Sequence, residues 1–278
     1  MTYGWSILIV AVVLGALSFL GVFNPMTFTP KASAGGCQVI RNTELGVSNL
    51  EGSCNNQVPQ YVAQFNGKSS YITTALEDAP HSWTISAWFE PSNSSPGSGS
   101  NCVGYPIVDS DNGNYGTGFG INGGLTALKG IGNKNCFSGL SSISGSPHTW
   151  YNAILTYDTQ TNEVNAYLNG KELGPESFTF SSSGSFSYFY IGFTGFGCCN
   201  AYFNGSVANV QIYNTTFTNS SVQILYQEGI GGVPIDPQNL VGWWPLNGDA
   251  NDYSGNQKNG VLTNVVFTSS WYNGYSQP

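Results

Sequence analysis

Charge is what this 278-residue chain has least of. Only 8% of its residues are charged, against about 25% in an average soluble protein. Seven Lys and Arg stand against fifteen Asp and Glu, which gives a formal net charge of -8. Binding to phosphate backbones needs clustered basic side chains, so the composition argues against nucleic acid as a partner.

Metal-binding and catalytic motifs are also scarce. The chain has no CxxC pair and only two His, so a zinc site is not expected. It has neither a G-x-S-x-G elbow nor the alternating acidic residues that would supply a glycosidase with paired carboxylates. His81 and His148 each precede a strand-like run that contains Trp, which favours local capping and packing. We therefore expect no enzymatic activity and no required cofactor.

Short runs rich in Thr, Tyr, Phe, Trp and Val fill the chain from about residue 37 onward, separated by Gly, Asn, Ser and Pro. Their alternation with a period of two, and the turn signals every eight to twelve residues, predict an antiparallel β-sandwich. Asn169-Gly170 is suited to a type I′ hairpin turn. Only residues 220–229 have helical spacing. The runs are YVAQF, YITTA, TISAWF, YPIVD, TGFGIN, NAILTYD, EVNAYLN, ESFTF, YFYIGF, ANVQIY, LVGWWPL and VLTNVVF.

The ordered set FNGKSSYITTA, SWTISAWFEP, TWYNAILTYDTQTNEVNAYLNGKELG and YFNGSVANVQIY resembles a laminin-G-like domain, a jelly roll of the concanavalin-A type. The resemblance covers roughly residues 60–229. Residues 240–267 resemble the stretch that normally opens such a domain, yet here they come last. Either the domain is circularly permuted and this segment pairs within its own chain, or it pairs with a neighbouring subunit.

The first 25 residues contain no charge, and residues 5–23 form an apolar run of 19 residues. As a helix this run would span about 28 Å, close to the hydrocarbon thickness of a bilayer. A signal peptide, a membrane anchor and a filament core are the three interpretations. The segment resembles the hydrophobic helix of archaeal type IV pilin-like proteins. This resemblance implies a polymerisation helix over residues 1–25 that includes Trp5, Ile7, Leu8, Val12, Leu14, Gly15, Leu17, Phe19, Leu20 and Phe23, then a linker (26–36) and a β domain (37–278).

Six cysteines and four N-x-S/T sequons indicate an extracellular protein. The sequons are at Asn93, Asn204, Asn214 and Asn219. Six cysteines allow fifteen connectivities. Cys198 and Cys199 are adjacent, so each is expected to reach a separate partner, for which Cys102 and Cys136 are plausible. Cys37 with Cys54 would then close a short loop.

Two kinds of ligand remain open from the sequence. The laminin-G resemblance implies structural calcium, with Asp109 and Asp111 or Asp249, Asp252 and Asn256 as candidate oxygen ligands, although Asx-turn chemistry explains the same residues. The 39 aromatic residues are consistent with sugar stacking as well as with core packing. Trp243 and Trp244 must point to opposite faces of a strand, so we expect one of them to be exposed to a subunit or ligand.

Taken together, these features predict a structural subunit of an extracellular archaeal type IV pilus-like filament that functions in adhesion or surface contact. Its partners would be other copies of itself through the N-terminal helices, the membrane before assembly, and surface glycans. The alternative is a single-pass, membrane-anchored surface lectin with the same laminin-G-like domain.

Overall fold

The computed structural model describes residues 37–42, 45–54, 58–76, 82–93, 97–98, 105–111, 116–121, 128–133, 135–140, 145–177, 188–195 and 200–278. These residues belong to one compact unit, Ser33–Pro278. The predicted N-terminal helix (1–25) and linker (26–36) lie outside the described residues. No helix in the described part is both long and apolar enough to cross a membrane.

The described chain contains nineteen strands and one helix. They are β1 (Cys37–Asn42), β2 (Val47–Gly52), β3 (Val62–Asn66), β4 (Tyr71–Thr74), β5 (Trp83–Pro91), β6 (Gly97–Ser98), β7 (Tyr105–Asp111), β8 (Gly116–Ile121), β9 (Leu128–Asn133), β10 (Asn135–Leu140), β11 (Tyr151–Asp158), β12 (Glu163–Leu168), β13 (Lys171–Ser177), β14 (Phe189–Ile191), β15 (Phe193–Thr194), β16 (Ala201–Tyr213), α1 (Asn219–Gln227), β17 (Leu240–Trp244), β18 (Val261–Thr263) and β19 (Val266–Thr268).

The strands form the antiparallel sandwich that the sequence predicted. One sheet has seven strands in the order β10-β9-β8-β7-β14-β4-β18. The other has ten, with β13-β12-β11-β5-β16-β3-β19 as its main path and β6, β15 and β17 paired with β16. A separate hairpin, β1–β2, lies outside both sheets.

The main core lies between the two sheets. Alternate residues of β5, β11 and β16 point into it, and Phe89, Leu155 and Val207 are fully buried there. Trp244 is also fully buried and stacks on Phe189 from the opposite sheet, with ring centroids 6.0 Å apart. Burial of each such large side chain contributes about 1.5–3 kcal/mol, so this layer supplies most of the hydrophobic stabilisation.

Local signals in the sequence agree with the structure at two places. Asn169 and Gly170 both have positive φ, 50° and 73°, as the type I′ turn between β12 and β13 requires. The predicted helix at 220–229 is found at Asn219–Gln227, where Thr218 caps it by accepting a hydrogen bond from the Ser221 N–H at 3.3 Å. The predicted runs do not include β1, β2, β6, β9 and β10.

The C-terminal segment pairs within its own chain. β17 pairs with β16, β18 with β4, and β19 with β3. Of the two arrangements left open by the sequence, the structure therefore shows the intramolecular one. The segment also carries the last strand of both sheet paths.

The outer face of the ten-stranded sheet is covered by three pieces of chain. The β1–β2 hairpin and α1 cover Tyr213 and Trp243, and the C-terminal tail places Trp271 over Trp88 and Trp150. Trp243 is only 3% exposed. The expectation that one of the two adjacent tryptophans faces a subunit or ligand is thus wrong: both are buried, in separate hydrophobic layers.

Candidate functional site: an aromatic platform

Five aromatic rings lie together on the seven-stranded sheet and the adjoining end of β16. Tyr71 belongs to β4 and Tyr190 to β14, and their neighbours Ile72 and Ile191 are fully buried. Because successive strand residues point to opposite faces, Tyr71 and Tyr190 point away from the core. We call this group the aromatic platform; its members are Tyr71, Tyr188, Tyr190, Phe193 and Tyr202.

The rings of the platform are in continuous contact. Phe193 lies at the centre, with its centroid 5.2 Å from Tyr71, 5.1 Å from Tyr190 and 5.0 Å from Tyr202. Tyr188 extends the group, 6.2 Å from Tyr190. These separations are typical of interacting aromatic pairs. Tyr188 is 50% exposed and the other four rings are half-buried, so the platform presents aromatic surface to solvent.

A turn at Gly192 brings Tyr190 of β14 and Phe193 of β15 together in the aromatic platform. The φ of Gly192 is +80°, a conformation that side chains other than glycine rarely adopt, and a Cβ atom there would collide with the ring of Phe65. The Gly192 N–H donates to the Ile107 carbonyl at 2.9 Å, and its own carbonyl accepts from the Phe203 N–H at 3.0 Å. This turn holds Tyr190 and Phe193 against each other.

A buried carboxylate adjoins the platform. Asp109 of β7 lies directly opposite Tyr190 in the sheet register and is fully buried. The Thr194 hydroxyl, next in sequence to Phe193, donates a hydrogen bond to Asp109. Asp109 was one candidate calcium ligand; the side chain of its predicted partner, Asp111, lies outside the described part of the chain.

The second set of predicted calcium ligands forms a tight turn after β17. Asp252 accepts four hydrogen bonds, from Trp243 N–H, Ser254 N–H, Ser254 Oγ and Lys258 N–H, at 2.8–3.0 Å. Asp249 accepts three, from Asn251 N–H, Asn251 Nδ2 and the Tyr253 hydroxyl. Asn256 Nδ2 donates to the carbonyls of Leu240 and Val241.

These bonds occupy both aspartates with donors from the protein, which favours the Asx-turn interpretation over a calcium site. Among the residues that the structure describes, no group of three or more His, Cys, Asp or Glu is close enough to hold a metal ion.

A cleft of about 270 Å³ opens on the covered side of the molecule, lined in part by Asn209, Gly232 and Trp243. Asn209 has a φ of +48° and lies where β16 passes from pairing with β3 to pairing with β17. Its Oδ1 accepts from Trp243 Nε1 and Gln211 Nε2, both at 2.9 Å, and its Nδ2 donates to the Gly232 carbonyl at 2.9 Å. The hydrogen bonds of the Asn209 side-chain amide thus connect β16 to β17 and to the loop at Gly232, which gives the amide a structural role.

The remaining predicted residues lie apart from the platform. Cys37 and Cys54 form a disulfide, the pair expected for the short loop; Cys102, Cys136, Cys198 and Cys199 lie outside the residues whose side chains are described. His148 is exposed, and its Nδ1 lies 3.1 Å from Glu90 Oε1. His81 lies outside the described residues.

The four sequons differ in how accessible their amides are. Asn93, Asn214 and Asn219 are exposed, and Asn204 is partly buried in β16. The Asn219 side chain accepts from the Tyr167 hydroxyl at 2.6 Å and donates to Glu172 at 3.0 Å. Glycosylation of the four sequons remains a prediction.

A comparison with family models matches residues 66–223 to Laminin_G_3, described as the concanavalin A-like lectin/glucanases superfamily. That is more than half of the chain. The protein belongs to this laminin-G family. No curated protein sequence matches the chain.

Two solved structures show the same fold as this laminin-G protein. A Bacteroides ovatus protein proposed to bind carbohydrate has 18% identity and a TM-score of 0.57, over 76% of this chain and 60% of that one. A heptameric SAP-like pentraxin from Limulus polyphemus has 14% identity and a TM-score of 0.51, over 76% of this chain and 96% of that one. At these identities the likeness establishes the fold alone.

The laminin-G resemblance seen in the sequence is thus confirmed, but the platform was not foreseen. Its rings come from three stretches of the chain, at residue 71, residues 188–193 and residue 202, so no single local pattern marks all of them. One signal was present: in YFYIGF, and at Tyr71-Ile72, a tyrosine alternates with a buried apolar residue.

Proposed function

We propose that this laminin-G domain is a non-catalytic, extracellular lectin that binds surface glycans through the aromatic platform, and that the N-terminal apolar segment anchors it to the membrane. The observation that carries the proposal is the platform itself: five rings in contact, presented at the outward face of the sheet. Tyrosine combines a broad apolar face with a polar hydroxyl, which suits it to stack on a sugar ring and bond to its hydroxyls.

The chemistry beside the platform supports binding rather than hydrolysis. A general acid must come within hydrogen-bond reach of the proton that it transfers. Asp109 is fully buried and already accepts a hydrogen bond from Thr194, so it is placed to brace β7 against β15. The low charge of the chain also suits neutral sugars better than ionic ligands.

Glycan binding can be tested with two matched tyrosine variants. Tyr188→Ala removes a platform ring that is 50% exposed, and Tyr272→Ala removes a 60% exposed tyrosine on the C-terminal tail. On a glycan array, Tyr188→Ala should weaken binding of any glycan that the wild-type protein retains by about tenfold, the effect of losing a modest contact residue. Tyr272→Ala should leave it unchanged. Equal effects of the two variants, or no glycan bound by the wild type, would contradict the proposal.

The second candidate function is a structural subunit of an archaeal type IV pilus-like filament. The observation that favours it is the uncharged, all-round apolar run at residues 5–23, which has no solvent face and must be buried on all sides. Its small residues, including Gly15 and Ala16, would let neighbouring helices approach closely. Electron microscopy of negatively stained surface material separates the two functions: uniform fibres support the filament, and detergent-soluble monomers support the anchored lectin.

A further inference from the structure

The C-terminal segment forms one edge of the sandwich. β18 is the last strand of the seven-stranded sheet, and β19 ends the main path of the ten-stranded sheet. Within the described residues no strand pairs with the outer side of either one. Three apolar side chains are exposed along this edge: Val261 at 67%, Leu262 at 43% and Val266 at 59%.

The opposite edge of the ten-stranded sheet has a different character. β13 carries Lys171, Glu172 and Pro175, and its register with β12 shifts near Ala166. Charged side chains, proline and bulges are devices that prevent an edge strand from pairing with another chain. β18 and β19 have none of them, and residues 259–278 contain no charged side chain at all. The β13 edge carries three such devices, whereas the β18–β19 edge is limited only by the shortness of its strands.

The charge distribution indicates which partner suits the open edge. Two copies of a chain with a net charge of -8 repel each other over most of their surfaces. An uncharged edge is where they can approach without that cost, whereas a basic partner would gain nothing there. An antiparallel edge is also self-complementary under a two-fold axis.

We propose that the β18–β19 edge is a self-association surface, at which a second copy of this chain adds antiparallel and extends the sheets across a two-fold axis. Each strand has only three residues, so the contact is small and weak in dilute solution. It would form when chains are already held close together at a surface. Pairing would present two platforms at once and raise the avidity for a multivalent glycan.

Cysteine cross-linking of the full chain, reconstituted at high density in lipid vesicles, tests the geometry. In a two-fold antiparallel pair, a residue near the axis faces its own copy. Leu262→Cys should therefore give a disulfide-linked dimer on mild oxidation. Ile224→Cys, on the exposed side of α1 and similarly accessible at 51%, should not. Absence of the Leu262→Cys dimer, or equal dimer yields from the two variants, would overturn the proposal.

A charge test measures the same contact without a covalent bond. The full-chain double variant Val261→Lys/Val266→Lys should raise the dissociation constant for self-association by about tenfold or more, because like charges would meet across the two-fold axis. The matched control, Leu45→Lys/Ile224→Lys, adds the same charge at exposed apolar sites elsewhere. Förster transfer between donor- and acceptor-labelled full chains, reconstituted at high density in the same lipid vesicles, compares them, with far-UV circular dichroism to confirm folding. Equal transfer for the edge variant and its control would refute the edge contact.

Discussion

Both outward faces of this sandwich carry many aromatic residues, but those on one face are buried by other parts of the chain and those on the other remain partly exposed. On the ten-stranded sheet, Trp88, Trp150 and Trp243 lie beneath the β1–β2 hairpin, α1 and the C-terminal tail, and each is at most 4% exposed. On the seven-stranded side, the platform rings contact one another and remain partly in solvent. The residue types on the two faces are similar, so the identity of a residue does not decide its role. Its role depends on whether another part of the chain packs over it.

The covered face depends on a few long-range contacts. The indole of Trp271 packs edge-to-face on Trp150, with centroids 5.8 Å apart, and Trp150 Nε1 donates to the Trp271 carbonyl at 3.0 Å. Arg41, the only arginine in the sequence, ties β1 to the C-terminal segment through the Ser254 carbonyl at 3.1 Å. Through these contacts, β1 and the C-terminal tail both contribute to the stability of the folded domain.

The largest expected effect is on the covered face. Trp271→Ala should lower the free energy of unfolding by about 3 kcal/mol, because it opens a cavity over Trp88 and Trp150 that the tail cannot refill. Urea denaturation of the full chain measures the change. Tyr272→Ala, one residue away but 60% exposed, is the control and should cost less than about 1 kcal/mol. Similar losses for both variants would mean that the tail does not cover the face as described.

Alkaline pH is expected to have an intermediate effect on the stability of the folded state. Burial, with the nearby Asp249, raises the pKa of Tyr253 to about 12, and burial raises the pKa of Tyr213 well above its usual value. The folded state therefore retains these protons when the unfolded chain, with tyrosine pKa values of about 10, has lost them. The contribution of these two tyrosines to stability is fully present below pH 10, and it decreases as the pH rises toward 12.

Thermal unfolding measured between pH 9 and pH 12 tests this linkage. Tyr253→Phe should make the decrease in melting temperature above pH 10 less steep, since that phenol no longer titrates. A slope identical to that of the wild type would show that Tyr253 does not contribute to the alkaline loss.

The smallest stability effect is expected at the platform. Tyr188→Ala should change the free energy of unfolding by no more than about 0.5 kcal/mol, as is usual for an exposed side chain, even though the same variant is expected to weaken glycan binding. Urea denaturation of this variant beside Trp271→Ala compares the two faces directly. A loss comparable to that of Trp271→Ala would make the platform a structural layer like its counterpart.

Local features of the sequence predicted those parts of the fold that depend on local chemistry. The alternation of apolar residues predicted most strands of the two sheets, and Asn169-Gly170 predicted its turn because only a few residues tolerate two successive positive φ angles. Prediction failed at Trp243. The rule that neighbours on a strand point to opposite faces was correct, but it could not reveal that a hairpin 200 residues earlier covers the second face.

The platform could not be predicted for the same reason. Tyr71 is far in sequence from Tyr190 and Tyr202, and the three meet because β4 pairs with β14 while Gly192 turns the chain toward β16. The alternation of tyrosine with buried apolar residues in YFYIGF indicates an outward-facing side of a strand, but it does not show whether other parts of the chain cover that side.

The sequence by itself therefore determined the class of fold and the absence of charge over residues 259–278, since periodicity and composition are local properties. Only the tertiary structure decided which aromatic residues are covered and which reach solvent, where the C-terminal segment pairs, and which donors Asp249 and Asp252 accept hydrogen bonds from. Burial depends on contacts between distant parts of the chain. Those contacts are fixed by the packing of the whole domain.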